Sequence, residues 1–329
     1  MKPRTVGRWW HRWFLLPSEL RALGVVGINM RNARWLLPHN PRAYYRNVDD
    51  KLRTKELALR NDLAVPETYA VVHSPGDIAG LMRTLEKVDS FVIKPARGSG
   101  GKGVIVIDGR QTGGFVKPSG TFVPAAGIRY HVSDILAGLF SLGGRRDAAL
   151  AEYRVRPARV LTDISYQGAP DIRVVLLHGY PVMAMVRTAT RESDGRANLH
   201  QGALGIGICL ASGCSIRAVH HGMPVLFHPD TKAPLIGVRI PEWERLLEIA
   251  CICQEMSGLG YLGVDMMIDE SRGPLMIEVN ARPGLAIQLA NGAGLMCRLE
   301  AVARHHALHP GLHSSAKIAF SKLQFSAST

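Results

Sequence analysis

The sequence is poor in cysteine, and its cysteines form no CxxC pair. The five are Cys209, Cys214, Cys251, Cys253 and Cys297. An odd number of scattered cysteines argues against a disulfide framework and fits a reduced compartment, so we expect a cytoplasmic protein. The histidines near the C-terminus have no accompanying cysteine or acid cluster, which argues against a metal site among His305, His306, His309 and His313.

Long apolar runs are also missing. No stretch approaches the roughly 18 uncharged apolar residues that a bilayer-spanning helix needs. The start of the chain, WWHRWFLL, is aromatic and basic, but it has no long apolar run and no cleavage site. A signal peptide is therefore not expected, whereas a peripheral membrane contact stays open.

Acidic residues are scarce at the N-terminus. Residues 1–46 contain nine lysines and arginines and one acid, Glu19, so eight of the thirteen excess positive charges of the chain lie there. Such a segment could contact an anionic membrane, bind nucleic acid, attract an anionic substrate or simply be solvated. Of these partners, we do not expect nucleic acid, and the sequence does not indicate an oligomeric state.

What the sequence has is enough apolar residues, 47% of 329, to fill two or three packed lobes. Apolar spacing near 3.6 residues predicts helices, and short β-branched runs predict strands, with a hairpin at HGYP. Helices are predicted at 18–36, 49–63, 76–88, 132–142, 241–257 and 291–308. Strands are predicted at 68–72, 91–94, 103–108, 148–155, 171–179, 180–187, 263–269 and 273–280.

A glycine-rich loop, GSGGKG (98–103), joins two of the predicted strands. It matches GxGxxG, but a strand follows it rather than the helix that a dinucleotide-binding loop requires. Lys102 is followed by Gly103, which does not fit a Walker A loop, and Lys94 precedes the loop, unlike the kinase lysine. The remaining interpretations are a hairpin flap whose backbone N–H groups fold over phosphates, or a plain surface hairpin.

Oxygen-bearing side chains stand out in two apolar strands near the C-terminus. Glu278 and Asn280 are two residues apart in PLMIEVN, so they point to one face of a strand. Asp265 lies in GVDMMID, which could pair with that strand across the SRGP turn. An acid in an apolar strand is costly unless it is paired or bound to a metal. The three residues suit a Mg²⁺ site or, alternatively, a salt-bridged rim.

Three arginines lie in or just beyond strands that could converge on this site: Arg173, Arg187 and Arg282. A planar guanidinium binds phosphate and carboxylate with two hydrogen bonds, so these residues are candidates for substrate or phosphate binding. Each of them taken alone could equally be a surface arginine.

Taken in order, these motifs resemble the ATP-grasp superfamily and, within it, the RimK-type α-L-glutamate ligases. The motifs span residues 49–290 and are DDKLRTK, VPETY, FVIKPARGSGGKGV, AEY, DIRV, RANLHQGA, GVDMMID and IEVNARPG. The resemblance implies an α+β fold in which two α/β lobes with antiparallel sheets clasp ATP. It implies an N-lobe (49–150) with the flap and a C-lobe (151–329) with the metal site, while the basic, helical N-terminal segment (1–48) and an insertion (109–147) depart from the usual pattern of the family.

The resemblance also implies roles for individual residues. The ATP phosphates would be bound by Lys51, Lys94 and the flap residues Gly98, Ser99, Gly100, Gly101 and Gly103. The hinge near adenine and ribose would hold Glu152 and Val155. The metal ligands would be Asp265, Glu278 and Asn280. The acyl-phosphate and substrate side would be formed by Asp171, Arg173, Arg187, Asn198 and Arg282.

The reaction implied by the resemblance uses ATP and Mg²⁺, with Mn²⁺ as an alternative, to convert a carboxylate into an acyl phosphate that an amine then attacks. The donor would be an amino-acid or peptide carboxylate. Only about 50 residues precede Lys51, where such enzymes usually have a full α/β domain, so the acceptor is not predicted. Phosphoryl transfer without ligation, and a nucleotide-binding scaffold recruited through its basic arm, stay open as alternatives.

Overall fold

Two antiparallel sheets dominate the computed structural model, which describes residues 15–98, 100–141 and 143–326. Ser99 of the predicted flap and the aromatic, basic start of the chain lie outside these residues. The smaller sheet has four strands in the order β1-β7-β2-β3. Their bounds are β1 Thr68–Val72, β2 Phe91–Pro95, β3 Ile105–Ile107 and β7 Ala149–Tyr153.

Strand alternation divides the two faces of this sheet. Phe91, Ile93 and Ala151 point into an apolar core that they share with α5 (Ile78–Leu85) and α6 (Ala125–Leu136). The residues next to them, Lys94 and Glu152, therefore point to the opposite face. Because side chains alternate between the two faces of a strand, Lys94 on β2 and Glu152 on the neighbouring β7 lie on the face away from the small core.

The predicted insertion at 109–147 forms structure of its own. It begins with a three-stranded sheet, β4 Gly109–Gln111, β5 Gly114–Val116 and β6 Phe122–Pro124. Helix α6 then starts at Ala125 and ends at Leu136, so the prediction of a helix at 132–142 was wrong in its bounds. The apolar spacing of the buried residues Ile128, Val132 and Ile135 explains the earlier start, and Gly138 (φ +87°) lies just after the end.

The larger sheet has seven antiparallel strands in the order β12-β11-β10-β9-β8-β13-β14. The predicted pairing of β8 with β9 and of β13 with β14 is confirmed. Three strands, β10 to β12, were not predicted from the sequence. The bounds are β8 Asp171–Leu177, β9 Tyr180–Thr188, β10 Leu204–Ile208, β11 Ser215–His220, β12 Met223–Pro224, β13 Tyr261–Asp269 and β14 Gly273–Asn280.

Helices from both ends of the chain pack on the larger sheet. The predicted helix at 18–36 is interrupted: α1 (Pro17–Ala22) ends before a turn at Gly24 (φ +71°), and α2 (Ile28–Met30) continues through a π-helix (Arg31–Leu36) into α3 (Leu37–His39). Val26 and Trp35 are buried in the larger core, so the described part of the basic segment is not a solvated arm. The helices that complete the described chain are α4 Lys51–Arg60, α7 Arg159–Thr162, α8 Trp243–Ser257, α9 Ile287–Asn291, α10 Met296–Leu308 and α11 Ser314–Gln324.

These contacts bear on the division into lobes. Helix α4 packs on α8 and β14 of the larger lobe, and β7 stays in the smaller sheet up to Tyr153. The predicted division was 1–48, 49–150 and 151–329. We propose instead that the smaller lobe comprises residues 68–153, and that α4 belongs to the larger lobe. Within the described residues, no helix is both long enough and apolar enough to cross a bilayer.

Candidate functional site

A small cleft lies between the smaller sheet, helix α4 and strand β14. Each wall contributes residues from a different part of the chain: the smaller sheet, helix α4, and strand β14. The lining comprises Lys51, Thr54, Lys55, Val65, Pro66, Lys94, Leu150, Glu152, Met276, Ile277 and Glu278. The structure thus brings together four predicted site residues that are far apart in sequence: Lys51, Lys94, Glu152 and Glu278.

Glu152 is buried between two lysines. Its carboxylate accepts from Lys94 of the neighbouring strand, and its Oε2 lies 2.8 Å from Nζ of Lys55. Burial alone would raise the pKa of Glu152, but attraction by Lys94 and Lys55 outweighs it, so the pKa is lowered. Burial also lowers the pKa of Lys55, and Glu152 partly offsets this effect. Glu152 is therefore ionised and holds the ammonium groups of Lys94 and Lys55 in position.

Lys55 was missed by the sequence reasoning. The signal for it was its position four residues after Lys51 on the same helix, which places both side chains on one side. Helix α4 starts at Lys51 because the side chain of Asp50 caps it, accepting from the backbone N–H groups of Leu52 and Arg53. This cap sets the direction in which both lysines enter the cleft.

Lys51 connects the flap to the larger sheet. Its Nζ donates to the carbonyl oxygen of Gly98 at 2.6 Å and lies 3.3 Å from Oε1 of Glu278. The first residue of the flap and a predicted metal ligand on β14 therefore share one ammonium group. An anion entering the cleft would meet a cation already held between the two lobes.

The flap depends on glycine at defined positions. Gly100, Gly101 and Gly103 have φ of +64°, +75° and +74°, a region that favours glycine. A Cβ on Gly103 would lie 2.6 Å from the ring of Phe140, while Gly100 faces open space. His131 of α6 also contacts the flap, with its Nε2 2.9 Å from the Gly103 carbonyl oxygen. The 109–147 segment therefore packs against the flap.

The larger sheet carries a buried network of arginines and carboxylates. Arg173 on β8 donates through Nε and Nη2 to Asp265 on β13, both at 2.6 Å. Arg187 on β9 binds Asp171 through two nitrogens and reaches Asp265 at 2.9 Å. Asn280 donates to Asp265 at 3.0 Å. The antiparallel register causes this convergence, because Asp171 lies opposite Arg187 and Arg173 lies opposite Asp265.

The network shifts the titration of its members. Burial would raise the pKa of Asp265, but attraction by Arg173 and Arg187 lowers it to about 2. Burial raises the pKa of Asp171, although Arg187 opposes the shift. Burial would lower the pKa of Arg187, but attraction by Asp171 and Asp265 outweighs this effect, so the pKa is raised. Asp265 therefore stays ionised across the physiological range.

The predicted metal ligands have donor types that fit Mg²⁺. Asp265 and Glu278 are directly opposite on β13 and β14, and Asn280 lies two residues further along β14, so two carboxylates and an amide oxygen share a sheet face. In the structure the Asp265 carboxylate accepts hydrogen bonds from Arg173, Arg187 and Asn280. This arrangement matches the salt-bridged rim that the sequence left open as the alternative to a metal site. Glu278 is paired with Lys51. A cation at Asp265 would have to displace one of these donors.

Three predicted site residues are not among those that line the described cleft. Arg282 lies over the ring of Tyr45, with its guanidinium carbon 4.6 Å from the ring centroid. Asn198 caps a 3₁₀ turn by accepting from the backbone of His200. Val155 is buried just after β7. Their catalytic or hinge roles stay predictions.

Comparison with known proteins identifies the family to which the chain belongs. A family model described as sugar-transfer associated ATP-grasp matches residues 30–304. The chain is 26% identical over 265 residues to a "Probable alpha-L-glutamate ligase" of Thioalkalivibrio sulfidiphilus, covering 80% of this chain and 66% of that relative. It is 25% identical over 285 residues to a "Ribosomal protein bS6--L-glutamate ligase" of Escherichia fergusonii, covering 85% and 73%. The predicted resemblance to ATP-grasp proteins and to α-L-glutamate ligases is thereby confirmed.

Among solved structures, the chain is similar to the ATP-grasp ligase PsnB complexed with a minimal precursor. The TM-score is 0.48 and the sequence identity 12%, and the match covers 82% of this chain and 63% of that one. The chain therefore spans about two thirds of the length of the proteins it matches.

Proposed function

The chain belongs to the sugar-transfer associated ATP-grasp family, and from this premise we propose that it is an ATP-dependent ligase joining a carboxylate to an amine. The observation that carries the proposal is the cleft, where Lys51, Lys55 and Lys94 meet and Lys51 donates to the carbonyl oxygen of Gly98 at the start of the flap. Three ammonium groups gathered in one cleft suit a polyphosphate. This cluster supports a nucleotide site between the two sheets.

In this proposal the phosphates of ATP bind Lys51, Lys94 and the flap backbone, and the adenosine lies against the hinge that holds Glu152 and Val155. The flap excludes water, which would otherwise hydrolyse an activated acid. In the structure the flap contacts α6 through His131, so the 109–147 segment supports the flap from one side.

Mg²⁺, with Mn²⁺ as an alternative, would be held by Asp265, Glu278 and Asn280. When bound, it would neutralise phosphate charge and polarise the bond to the transferred phosphoryl group. Arg187 and Arg173, already fixed by buried aspartates, present guanidinium groups at the same sheet face without further loss of side-chain freedom. We propose that Arg187, with Asn198 and Arg282 from flanking loops, binds the acyl phosphate.

The proposed reaction has two steps. A carboxylate oxygen of the donor attacks the γ-phosphorus, the bond to the β-γ bridging oxygen breaks, and ADP leaves. The amine then attacks the acyl carbon, the C–O bond breaks, phosphate leaves, and the amine loses a proton. The donor class that we favour is an amino-acid or peptide carboxylate, with glutamate as the first candidate because two relatives are named for it.

The test uses hydroxylamine in place of the natural amine. Purified protein with ATP, Mg²⁺ and a panel of amino acids and short peptides should release ADP and phosphate and form a hydroxamate with the correct acid. An ¹⁸O label in that acid's carboxylate should appear in the released phosphate. AMP as the product, or unlabelled phosphate during active turnover, would remove the acyl-phosphate mechanism. ATP splitting with labelled phosphate and no amide would identify a missing acceptor.

We also propose that the basic N-terminal segment contacts an anionic membrane peripherally, from the cytoplasmic side. Several apolar side chains in its described part are exposed: Leu16, Leu23, Ile28 and Leu37 are 51%, 61%, 64% and 71% exposed. Basic side chains with exposed apolar ones are the combination that binds an anionic interface. Deletion of residues 1–16 removes Leu16 and four basic side chains (Lys2, Arg4, Arg8 and Arg12), so it should reduce co-sedimentation with anionic vesicles and leave ATP binding intact. Unchanged sedimentation would reject a membrane contact made by residues 1–16.

A further inference from the structure

Away from the cleft, Glu192, His220 and His221 form a compact group on the larger lobe. The Oε2 of Glu192 lies 2.8 Å from Nε2 of His221 and 3.7 Å from Nε2 of His220. One ligand atom from each residue falls within 4.8 Å of the other two. Among the residues that the structure describes, this is the one such group of three histidine, cysteine or acidic side chains.

The convergence of the two histidines depends on a turn. Consecutive residues of a strand point to opposite faces, so adjacent histidines in β11 would diverge. His220 ends β11, and His221 begins the turn to β12 with φ +49°, followed by Gly222 with φ +76°. Two successive residues of positive φ form the tight hairpin turn, and here they bring the imidazole rings to 4.2 Å between centroids.

The third member comes from the loop between β9 and β10. Glu192 lies over Gly202 (φ +89°), and a Cβ on Gly202 would be 2.8 Å from the Glu192 carboxyl carbon. Glycine at that position therefore leaves room for the carboxylate beside the histidines. The same loop carries Asn198, so the group connects this loop to the β11–β12 turn.

We propose that Glu192, His220 and His221 bind a divalent transition-metal ion of the Zn²⁺ class. Two imidazole nitrogens and one carboxylate oxygen are a donor set that suits zinc, whereas Mg²⁺ prefers oxygen donors alone. The exposed setting leaves further coordination positions for water. Metal binding exchanges the contact between His220 Nε2 and the Gly202 carbonyl (3.0 Å) for a metal bond. It ties the 189–203 loop to the hairpin turn.

The first experiment measures Zn²⁺ binding to the metal-free full-length protein by calorimetry. The variants are Glu192→Gln and His221→Asn, since asparagine tolerates the positive φ of that turn. Each should lose one equivalent of Zn²⁺ or bind it at least about tenfold more weakly. The matched control is His200→Asn, an exposed histidine of the same loop outside the group. The control should keep the wild-type stoichiometry.

A second measurement reports the loop itself. Arg196 lies exposed in the loop, so trypsin should cleave there more slowly when Zn²⁺ ties the loop down. Protection should appear in the wild type and in His200→Asn and disappear in His221→Asn. Mg²⁺ should protect none of them. Equal Zn²⁺ stoichiometry and affinity in wild type and His221→Asn, or an equal loss in the His200→Asn control, would overturn the site.

Discussion

Substituting Asp265 by asparagine should separate the structural role of this residue from its proposed metal role. Both side-chain hydrogen bonds that the structure gives Arg173 go to the Asp265 carboxylate. The neutral amide offers one acceptor oxygen and turns an NH₂ group toward a buried guanidinium. Arg187 keeps Asp171, but Arg173 is left as an uncompensated buried charge.

The expected loss of stability is large. Removing one partner of a buried ion pair costs about 3–5 kcal/mol, because the remaining charge stays desolvated. The comparison variant is Glu278→Gln, because Glu278 lies directly opposite Asp265 on the neighbouring strand β14. Glu278 has a side chain that is 30% exposed and pairs with Lys51 at 3.3 Å, so its loss should cost no more than about 1 kcal/mol. Both variants should lose ATP turnover if both residues hold Mg²⁺.

The assay is urea unfolding of each variant without ATP or Mg²⁺, followed by turnover under native conditions. Asp265→Asn should lower the free energy of unfolding by several times the loss in Glu278→Gln, while both lose turnover. Equal and small stability losses would refute the claim that Asp265 is held by the arginines. Normal turnover in Glu278→Gln at ordinary Mg²⁺ would reject the metal assignment.

Three further predictions concern the flap, the cleft and pH. Lys94→Ala should weaken ATP binding by about tenfold or more, measured by calorimetry, because a phosphate-facing ammonium is lost; unchanged affinity would place the phosphates elsewhere. Gly103→Ala should lower turnover more than Gly100→Ala, since both have positive φ but only the first meets a ring; equal effects would mean that the clash does not matter. Burial, and then the imidazole of His306, lowers the pKa of His178 to about 4, against about 6.5 in the unfolded chain. The unfolded chain therefore binds more protons between those values, so the free energy of unfolding should fall as pH drops from 6.5 toward 4. Urea unfolding across that range should show a slope that His178→Asn reduces, and an unchanged slope would contradict the assignment.

Much of the site could be predicted from local sequence. Period-two alternation placed Glu278 and Asn280 on one strand face, and the SRGP turn predicted the β13–β14 hairpin that brings Asp265 opposite Glu278. The glycine pattern of the flap and its position after Lys94 were also readable, because positive φ and strand alternation are local properties. The ordered motifs were sufficient to predict the ATP-grasp superfamily, although the matching family, sugar-transfer associated ATP-grasp, was not predicted.

Long-range pairing decided the rest. The predicted local hairpin of β8 and β9 sets Asp171 opposite Arg187, but only the order that puts β13 on the other side of β8 makes Arg173 the partner of Asp265. No local pattern encodes such an order, because strand pairing is set by the packing of the whole sheet.

The sequence by itself determined which residues could carry chemistry and which way each points along its own helix or strand. Only the tertiary structure decided which of them meet. Lys55 joins Glu152 across 97 residues, and Glu192 joins His221 across a loop and a hairpin turn. The physical reason is that side-chain direction follows from backbone geometry within a few residues, whereas contacts between distant segments depend on burying one shared core.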